Sequence, residues 1–269
     1  MNAETKLVCL IGKPAKHSLS PVMHNAGYKT ANLNYVYLAF EPENLKKTVD
    51  GFKEIGVSGF NVTMPFKEDI IKHLDRIDST AKRIGAVNTV VNENGMLKGY
   101  NTDGLGAVEA LKKVTQIKNK KILILGAGGA GKAITFYLKE EGADITLSDR
   151  TDLKAIKLAK YAGVNSVPLN QIKSLEEFDV LINASPCGMK PHINATPISP
   201  ALLRRELVVF DIVYEPKETA LLKEAKKRGC KTINGIEMLL EQGYIGFKLF
   251  TGKDAPKNEM NEAIMRELK

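Results

Sequence analysis

The chain has 269 residues, 43% hydrophobic and 26% charged, with 22 Gly and 11 Pro, a composition that excludes disorder, collagen-like repeats and low-complexity architecture. Lys and Arg outnumber Asp and Glu by 39 to 31, a formal charge of +8. The cations are spread over three segments (Lys46 to Lys53, Lys112 to Lys121, Lys223 to Lys227) at helical spacing opposite apolar positions, so they read as solvated helix faces rather than a nucleic-acid stripe.

The elements alternate strand and helix, the pattern of an α/β protein built on parallel sheets. Residues 6–11 are predicted as a strand, ended by Gly12 and Pro14. A helix is predicted from Pro21, with Ser20 as its N-cap. Residues 35–40 alternate like a strand, 43–55 like a helix, and 59–64 like a strand stopped by Pro65. Residues 87–91 and 97–101 flank Asn94-Gly95, a dipeptide that favours a hairpin turn. A helix over 103–114 leads out of this first region. Residues 120–126 (KKILILG) read as a short buried strand that turns directly into a helix over 128–141. A strand at 143–148, a helix at 153–161 and strands at 180–183, 207–211 and 232–233 follow. Residues 236–250 and 255–268 read as two closing helices that pack back on the first region.

Cys9, Cys187 and Cys230 are few and far apart with no CxxC pair, which points to free thiols and a cytoplasmic chain rather than a disulfide framework or zinc site. No apolar run approaches the roughly 20 residues of a membrane span, and MNAETKLVCLIGK lacks the basic leader of a signal peptide. His17, His24, His73 and His192 show no metal-ligand spacing, so no metal is expected.

Gly126-Ala127-Gly128-Gly129-Ala130-Gly131 fits GxGxxG at a strand-to-helix junction. There the motif has a mechanism. Gly126 allows a tight turn, Gly128 admits a pyrophosphate against the backbone, Gly131 lets helix and strand pack closely, and the helix N-terminus offers N–H donors. The same residues nearly form a phosphate-binding GxxxxGK loop, but Ala133 replaces the hydroxyl that would hold Mg²⁺, so ATP hydrolysis is disfavoured. At the end of the second strand, Asp149 would favour the ribose diol of NAD. Arg150, Thr151 and Lys154 would favour the 2′-phosphate of NADP. Two cations and a hydroxyl against one carboxylate lean towards NADP.

The first region carries polar residues where its strands end. Ser18 and Ser20 in KHSLSP offer two hydroxyls at a helix N-terminus, suited to a carboxylate. Asn61 and Thr63 alternate to one side of GFNVTMPFK, and Lys67 follows. Asn88 lies in GAVNT and Asp103 in NTDG. Each alone is an ordinary turn residue; together they read as a ligand site.

With these motifs in order, and with NASPCGM at 183–189, DIVYEP at 211–216 and NGIEMLLEQG at 234–243, the whole chain resembles the shikimate/quinate dehydrogenase family. The resemblance implies an NADP-dependent oxidoreductase of the shikimate pathway that interconverts 3-dehydroshikimate and shikimate, an intermediate of aromatic amino acid biosynthesis. It implies that Ser18 and Ser20 bind the substrate carboxylate, that Thr63, Asn88, Asp103, Tyr214 and Gln242 bind ring hydroxyls, and that Asn61 lines the same site. It makes Lys67 and Asp103 the catalytic pair. It gives Gly126, Ala127, Gly128, Gly129 and Ala130 to the phosphates, Asp149, Arg150, Thr151 and Lys154 to the adenosine end, and Ile212 and Gly235 to the nicotinamide. Asp149 replaces the family's usual Asn, so NAD stays open as a cofactor. The fold implied is two α/β domains: a substrate domain of residues 1–103 plus 236–269, and a Rossmann-type doubly wound dinucleotide-binding domain of residues 104–235. Partners are the small-molecule substrate alone, with no nucleic acid or membrane, in a monomer or homodimer. Two alternatives stay open: an NAD-using quinate/shikimate dehydrogenase, and a catalytically silent nucleotide-binding protein of the same fold.

Overall fold

The alternation of apolar runs and turn residues produces two units in the computed structural model, which describes residues 1–268. The first is Met1–Thr102 with the chain from Gln242 onward, and the second is Asp103–Glu241.

The first unit contains β1 (Lys6–Ile11), α1 (Ser20–Thr30), β2 (Tyr35–Phe40), α2 (Leu45–Glu54), β3 (Gly59–Val62), β4 (Arg76–Ile77), α3 (Ser79–Ile84), β5 (Thr89–Glu93) and β6 (Met96–Tyr100). Its six strands run in the order β2-β1-β3-β5-β6-β4. β1 lies parallel to β2 and β3, while β3–β5 and β5–β6 are antiparallel. The antiparallel β5–β6 pair follows from the hairpin. Asn94 and Gly95 both take positive φ, 54° and 89°, and two such residues match the twist of flanking strands. One core of this unit gathers Cys9, Ile11, Val49, Phe60 and Val62. At the edge strand β2, the Asn25 amide from α1 accepts the Tyr37 N–H at 2.8 Å and donates to its carbonyl at 2.9 Å, which covers backbone groups that an open edge would expose.

Three local differences from the sequence reading have identifiable causes. α1 begins at Ser20, not Pro21, and Ser20 is not its cap. Leu19 holds that position and makes no side-chain bond; the Ser18 hydroxyl accepts the Ser20 N–H at 3.3 Å. α2 starts at Leu45, because the Asn44 side chain accepts the Lys47 N–H and fixes the entry. The short β4 and α3 carry too few residues for periodicity to reveal, although Asp78 caps α3 through Thr80 and Ala81.

The second unit contains α4 (Thr102–Lys112, whose first residue belongs to the first unit), β7 (Lys121–Leu125), α5 (Gly129–Glu140), β8 (Asp144–Ser148) and α6 (Asp152–Ala162). β9 (Asn165–Ser166), β10 (Val180–Asn183), β11 (Val208–Asp211), α7 (Ala220–Lys227) and β12 (Lys231–Ile233) follow. The strand order is β12-β11-β10-β7-β8-β9, parallel throughout. Counted from β7 this is the 3-2-1-4-5-6 order of a doubly wound dinucleotide-binding sheet, whose order reverses beside the first strand. β7 and β10 are buried on both faces, hence their continuous apolar runs.

α8 (Gly235–Thr251) starts in the second unit and ends in the first; α9 (Lys257–Glu267) belongs to the first. The closing helices return to α1. A Cβ at Gly27 of α1 would sit 2.9 Å from both Met260 Sδ and Phe247 Cε2, so that glycine sets how closely the helices approach. Among the described residues, no helix is long and apolar enough to cross a membrane, and no group of three or more His, Cys, Asp or Glu is placed to hold a metal. The three cysteines are free, with Cys9 and Cys230 buried.

Candidate active site

In the first unit the C-terminal ends of β1 and β3 place most of the polar residues singled out above. β1 leads through Gly12 to the loop that carries Ser18 and Ser20. A Cβ at Gly12 would overlap the Thr63 methyl group, so the glycine lets Thr63 pack over the exit of β1. The Glu41 carboxylate, just past β2, accepts the N–H groups of Ala15 at 2.7 Å and Lys16 at 3.2 Å. These bonds hold the carboxyl below its ordinary pKa and pin the serine loop. Ser18 and Lys67 are half-buried, and Ser20 is buried.

Behind them lies a buried hydrogen-bond network. Asn61 donates to Thr89 Oγ1 at 2.9 Å and to the Asn88 carbonyl at 3.1 Å, and its Oδ1 accepts from the Tyr37 hydroxyl at 2.6 Å. Asn88 Oδ1 accepts the Thr102 N–H at 2.7 Å, and its amide donates to Thr102 Oγ1 at 3.0 Å. Thr102 Oγ1 in turn reaches Gln242 Oε1 on α8 at 3.5 Å. Asn61, Asn88 and Gln242 are therefore brought into one network. Buried polar groups satisfied in this way are fixed in orientation. Asp103 and Tyr214, expected in the same set, belong to the second unit; Asp103 sits in the first turn of α4.

In the second unit the glycine turn lies between β7 and α5, at the point where strand order reverses. Gly126 has φ of 117°, and a Cβ there would meet Ala184 and Ser185 backbone at 2.8–2.9 Å. A Cβ at Gly131 would overlap the Gly126 carbonyl oxygen, whereas Gly128 and Gly129 face open space. Lys132, the lysine of the near-match to a phosphate loop, lies 5.3 Å over the Tyr161 ring. Asp149 is half-buried and both of its oxygens are engaged. One accepts the Ala127 N–H at 2.8 Å and the other the Thr151 N–H at 2.8 Å, so the carboxylate ties the glycine turn to the start of α6. Arg150, Thr151 and Lys154 are exposed beside it.

At the ends of β10 and β11 a second network surrounds Asp211, which is fully buried. Its carboxylate accepts from Thr219 at 2.6 Å, Asn183 at 2.9 Å and the Val213 N–H at 3.1 Å. Burial nonetheless pushes its pKa up to about 6, against those three bonds. These contacts shape the segment bearing Ile212 and Tyr214. A Cβ at Gly235 would overlap the Ile212 carbonyl oxygen, which brings together the two residues assigned to the nicotinamide side. Burial and the Asp211 charge raise the pKa of the half-buried Cys187 thiol, which disfavours its thiolate.

Sequence reasoning passed over Tyr37, Thr89, Thr102, Asn183 and Asp211. The repeated Asn-Thr pairs at 88–89 and 101–102 were a signal for two of them. Nothing in the strand pattern YVYLAF singles out Tyr37.

Three family models match the chain: a shikimate dehydrogenase substrate binding domain over residues 10–90, shikimate / quinate 5-dehydrogenase over 108–228, and a shikimate 5′-dehydrogenase C-terminal domain over 235–265. A shikimate dehydrogenase (NADP(+)) of Methanocaldococcus jannaschii is 47% identical, with 100% of this chain and 99% of that protein covered. The crystal structure of a shikimate dehydrogenase in complex with NADP+ superposes with a TM-score of 0.96 at 46% identity, covering 100% of this chain and 98% of the other. That of the Thermus thermophilus shikimate 5-dehydrogenase, in complex with NADP(H) and shikimate, gives 0.90 at 38% identity over 97% and 99% of the two chains.

Proposed function

Because the chain belongs to the shikimate dehydrogenase family, we infer that it catalyses the reversible, NADP-dependent reduction of 3-dehydroshikimate to shikimate in the cytoplasm. The observation that carries this reading is the full-length likeness to an NADP-dependent shikimate dehydrogenase at 47% identity.

The residues present fit a dinucleotide. Gly128 and Gly129 leave open space over the turn, and the first N–H groups of α5 have no partner within the helix. Those N–H groups, with the positive end of the helix dipole, would hold the pyrophosphate. Arg150, Thr151 and Lys154 would take the 2′-phosphate, and Ile212 and Gly235 the nicotinamide side. Asp149 supports this assignment from behind, because its oxygens are spent on the backbone. When bound, the cofactor supplies or accepts the hydride.

On the substrate side, Ser18 and Ser20 bind the carboxylate, Thr63, Asn88, Tyr214 and Gln242 orient the ring hydroxyls, and Asn61 lines the same site. The Lys67 ammonium stabilises the negative charge that develops on the carbonyl oxygen and gives that oxygen its proton. The Asp103 carboxylate orients the reacting hydroxyl. Initial rates with shikimate and with quinate, each with NADP and with NAD, test the reading. The expected result is the highest kcat/KM for shikimate with NADP; turnover confined to quinate or to NAD contradicts it.

A further inference from the structure

The amide of Asn61 has four hydrogen-bonding positions, and the structure fills three of them. Both amide hydrogens are spent inside the protein, on Thr89 Oγ1 and the Asn88 carbonyl. One lone pair of Oδ1 takes the Tyr37 hydroxyl in a 2.6 Å bond. What Asn61 has left for a ligand is therefore an acceptor, the second lone pair of Oδ1. Nothing in Asn61 itself chooses this orientation, because its oxygen and nitrogen ends have nearly the same shape. The Asn88 carbonyl, which can only accept, holds the nitrogen end, and the Tyr37 hydroxyl, with a proton to give, holds the oxygen end.

Tyr37 is well suited to hold that end. It is wholly buried, and its ring stacks on His24 with centroids 4.5 Å apart and planes 5° from parallel. Its backbone is clamped on both sides by Asn25. Tyr37 pairs with Val8 of β1, and Asn61 with Leu10, so the two side chains meet across the central strand. The Ser20 hydroxyl also lies against the Tyr37 oxygen, where it favours the ionised phenol, although burial keeps the group protonated far above its ordinary pKa.

We propose that Tyr37 is a positioning residue of the substrate site: its hydroxyl, together with the Asn88 carbonyl, holds Asn61 so that only the second lone pair of its amide oxygen is left for a ligand, and this position accepts a hydrogen bond from a ring hydroxyl and rejects a group that can only accept. The inference rests on the substrate site proposed above. Tyr37 does not touch the reacting atoms; it acts through Asn61.

The test is a double-mutant cycle in kinetics. Wild type, Tyr37→Phe, Asn61→Ala and the double variant are compared with shikimate varied at saturating NADP, and with NADP varied at saturating shikimate. Tyr37→Phe is expected to raise KM for shikimate about tenfold, the effect of one buried hydrogen bond left unmade, with KM for NADP unchanged. The double variant should be no worse than Asn61→Ala alone, because the hydroxyl has nothing left to orient. Fully additive effects, or an equal rise in both KM values, overturn the proposal. Thermal midpoints report folding; if Tyr37→Phe does not fold, Tyr37→Met fills the space without a donor and takes its place in the cycle. A wild-type chain inactive with shikimate overturns the proposed function as well, whereas an active wild type with an unmoved Tyr37→Phe overturns only the role of Tyr37.

Discussion

A carboxylate at the end of β8 could meet a ribose hydroxyl, a phosphate or the backbone, and Asp149 meets the backbone twice. Its type and position were legible in the sequence; its partners were not, because both are main-chain N–H groups placed by the turn. The consequence for cofactor choice is testable. Arg150→Ala should raise KM for NADP about ten- to a hundredfold, the value of a charge-assisted phosphate contact, and KM for NAD far less. Asp149→Ala should instead raise KM for both cofactors together, with a loss of about 1–3 kcal/mol in stability from the two N–H groups left unpaired. Equal effects of Arg150→Ala on both cofactors would remove Arg150 from the phosphate site. Ser20 was legible both as a helix cap and as half of a carboxylate site, and the cap reading failed because Leu19 holds the N-cap position and Ser20 is already inside the helix. Ser18→Ala and Ser20→Ala should each weaken shikimate binding by about 1–3 kcal/mol, read as KM or by titration, with NADP affinity unchanged.

At the scale of elements, α1 carries a buried histidine whose environment governs behaviour in acid. His24 is enclosed by Tyr28, Tyr37, Phe247 and Phe250, with no partner for Nδ1, and burial pulls its pKa down to about 3. In the unfolded chain a histidine titrates near 6.5. The unfolded chain thus binds a proton that the folded chain refuses. Stability is complete above pH 6.5 and falls by up to about 5 kcal/mol as the pH drops towards 3. Asp211 acts in the opposite sense. Its folded pKa of about 6 lies above that of a free carboxylate, so the folded chain is protonated first and gains up to about 3 kcal/mol between pH 6 and 4. His24 has the larger shift and should dominate. Urea denaturation of His24→Phe between pH 7 and pH 4 should show a flatter or rising stability where wild type declines, and an unchanged slope would contradict this assignment. The amphipathic and glycine-bounded elements were readable from periodicity. β4, with two residues, and α3, with six, lie below the length at which a period can be seen.

For the whole molecule, the legible part follows from where local signals coincide. The second unit was readable because a buried strand, a glycine turn and a helix occur in succession, and a doubly wound sheet obliges the remaining strands to follow. The first unit was harder, since its antiparallel strands and its links from Tyr37 to Asn61 and from Thr102 to Gln242 join residues 24 and 140 positions apart, contacts that only the folded chain creates. Lys67 is the group on which the chemistry of the proposed reaction rests. If the ammonium acts on charge that develops during hydride transfer, its interaction is stronger in the transition state than in the ground state. The most direct test is therefore the steady-state kinetics of Lys67→Met, which keeps most of the side-chain volume, with circular dichroism and NADP binding confirming the fold. The account predicts that kcat and kcat/KM for shikimate fall together by about 10²–10⁴-fold with KM nearly unchanged. A raised KM with kcat intact would contradict it, leaving Lys67 a binding residue and the proton to come from elsewhere.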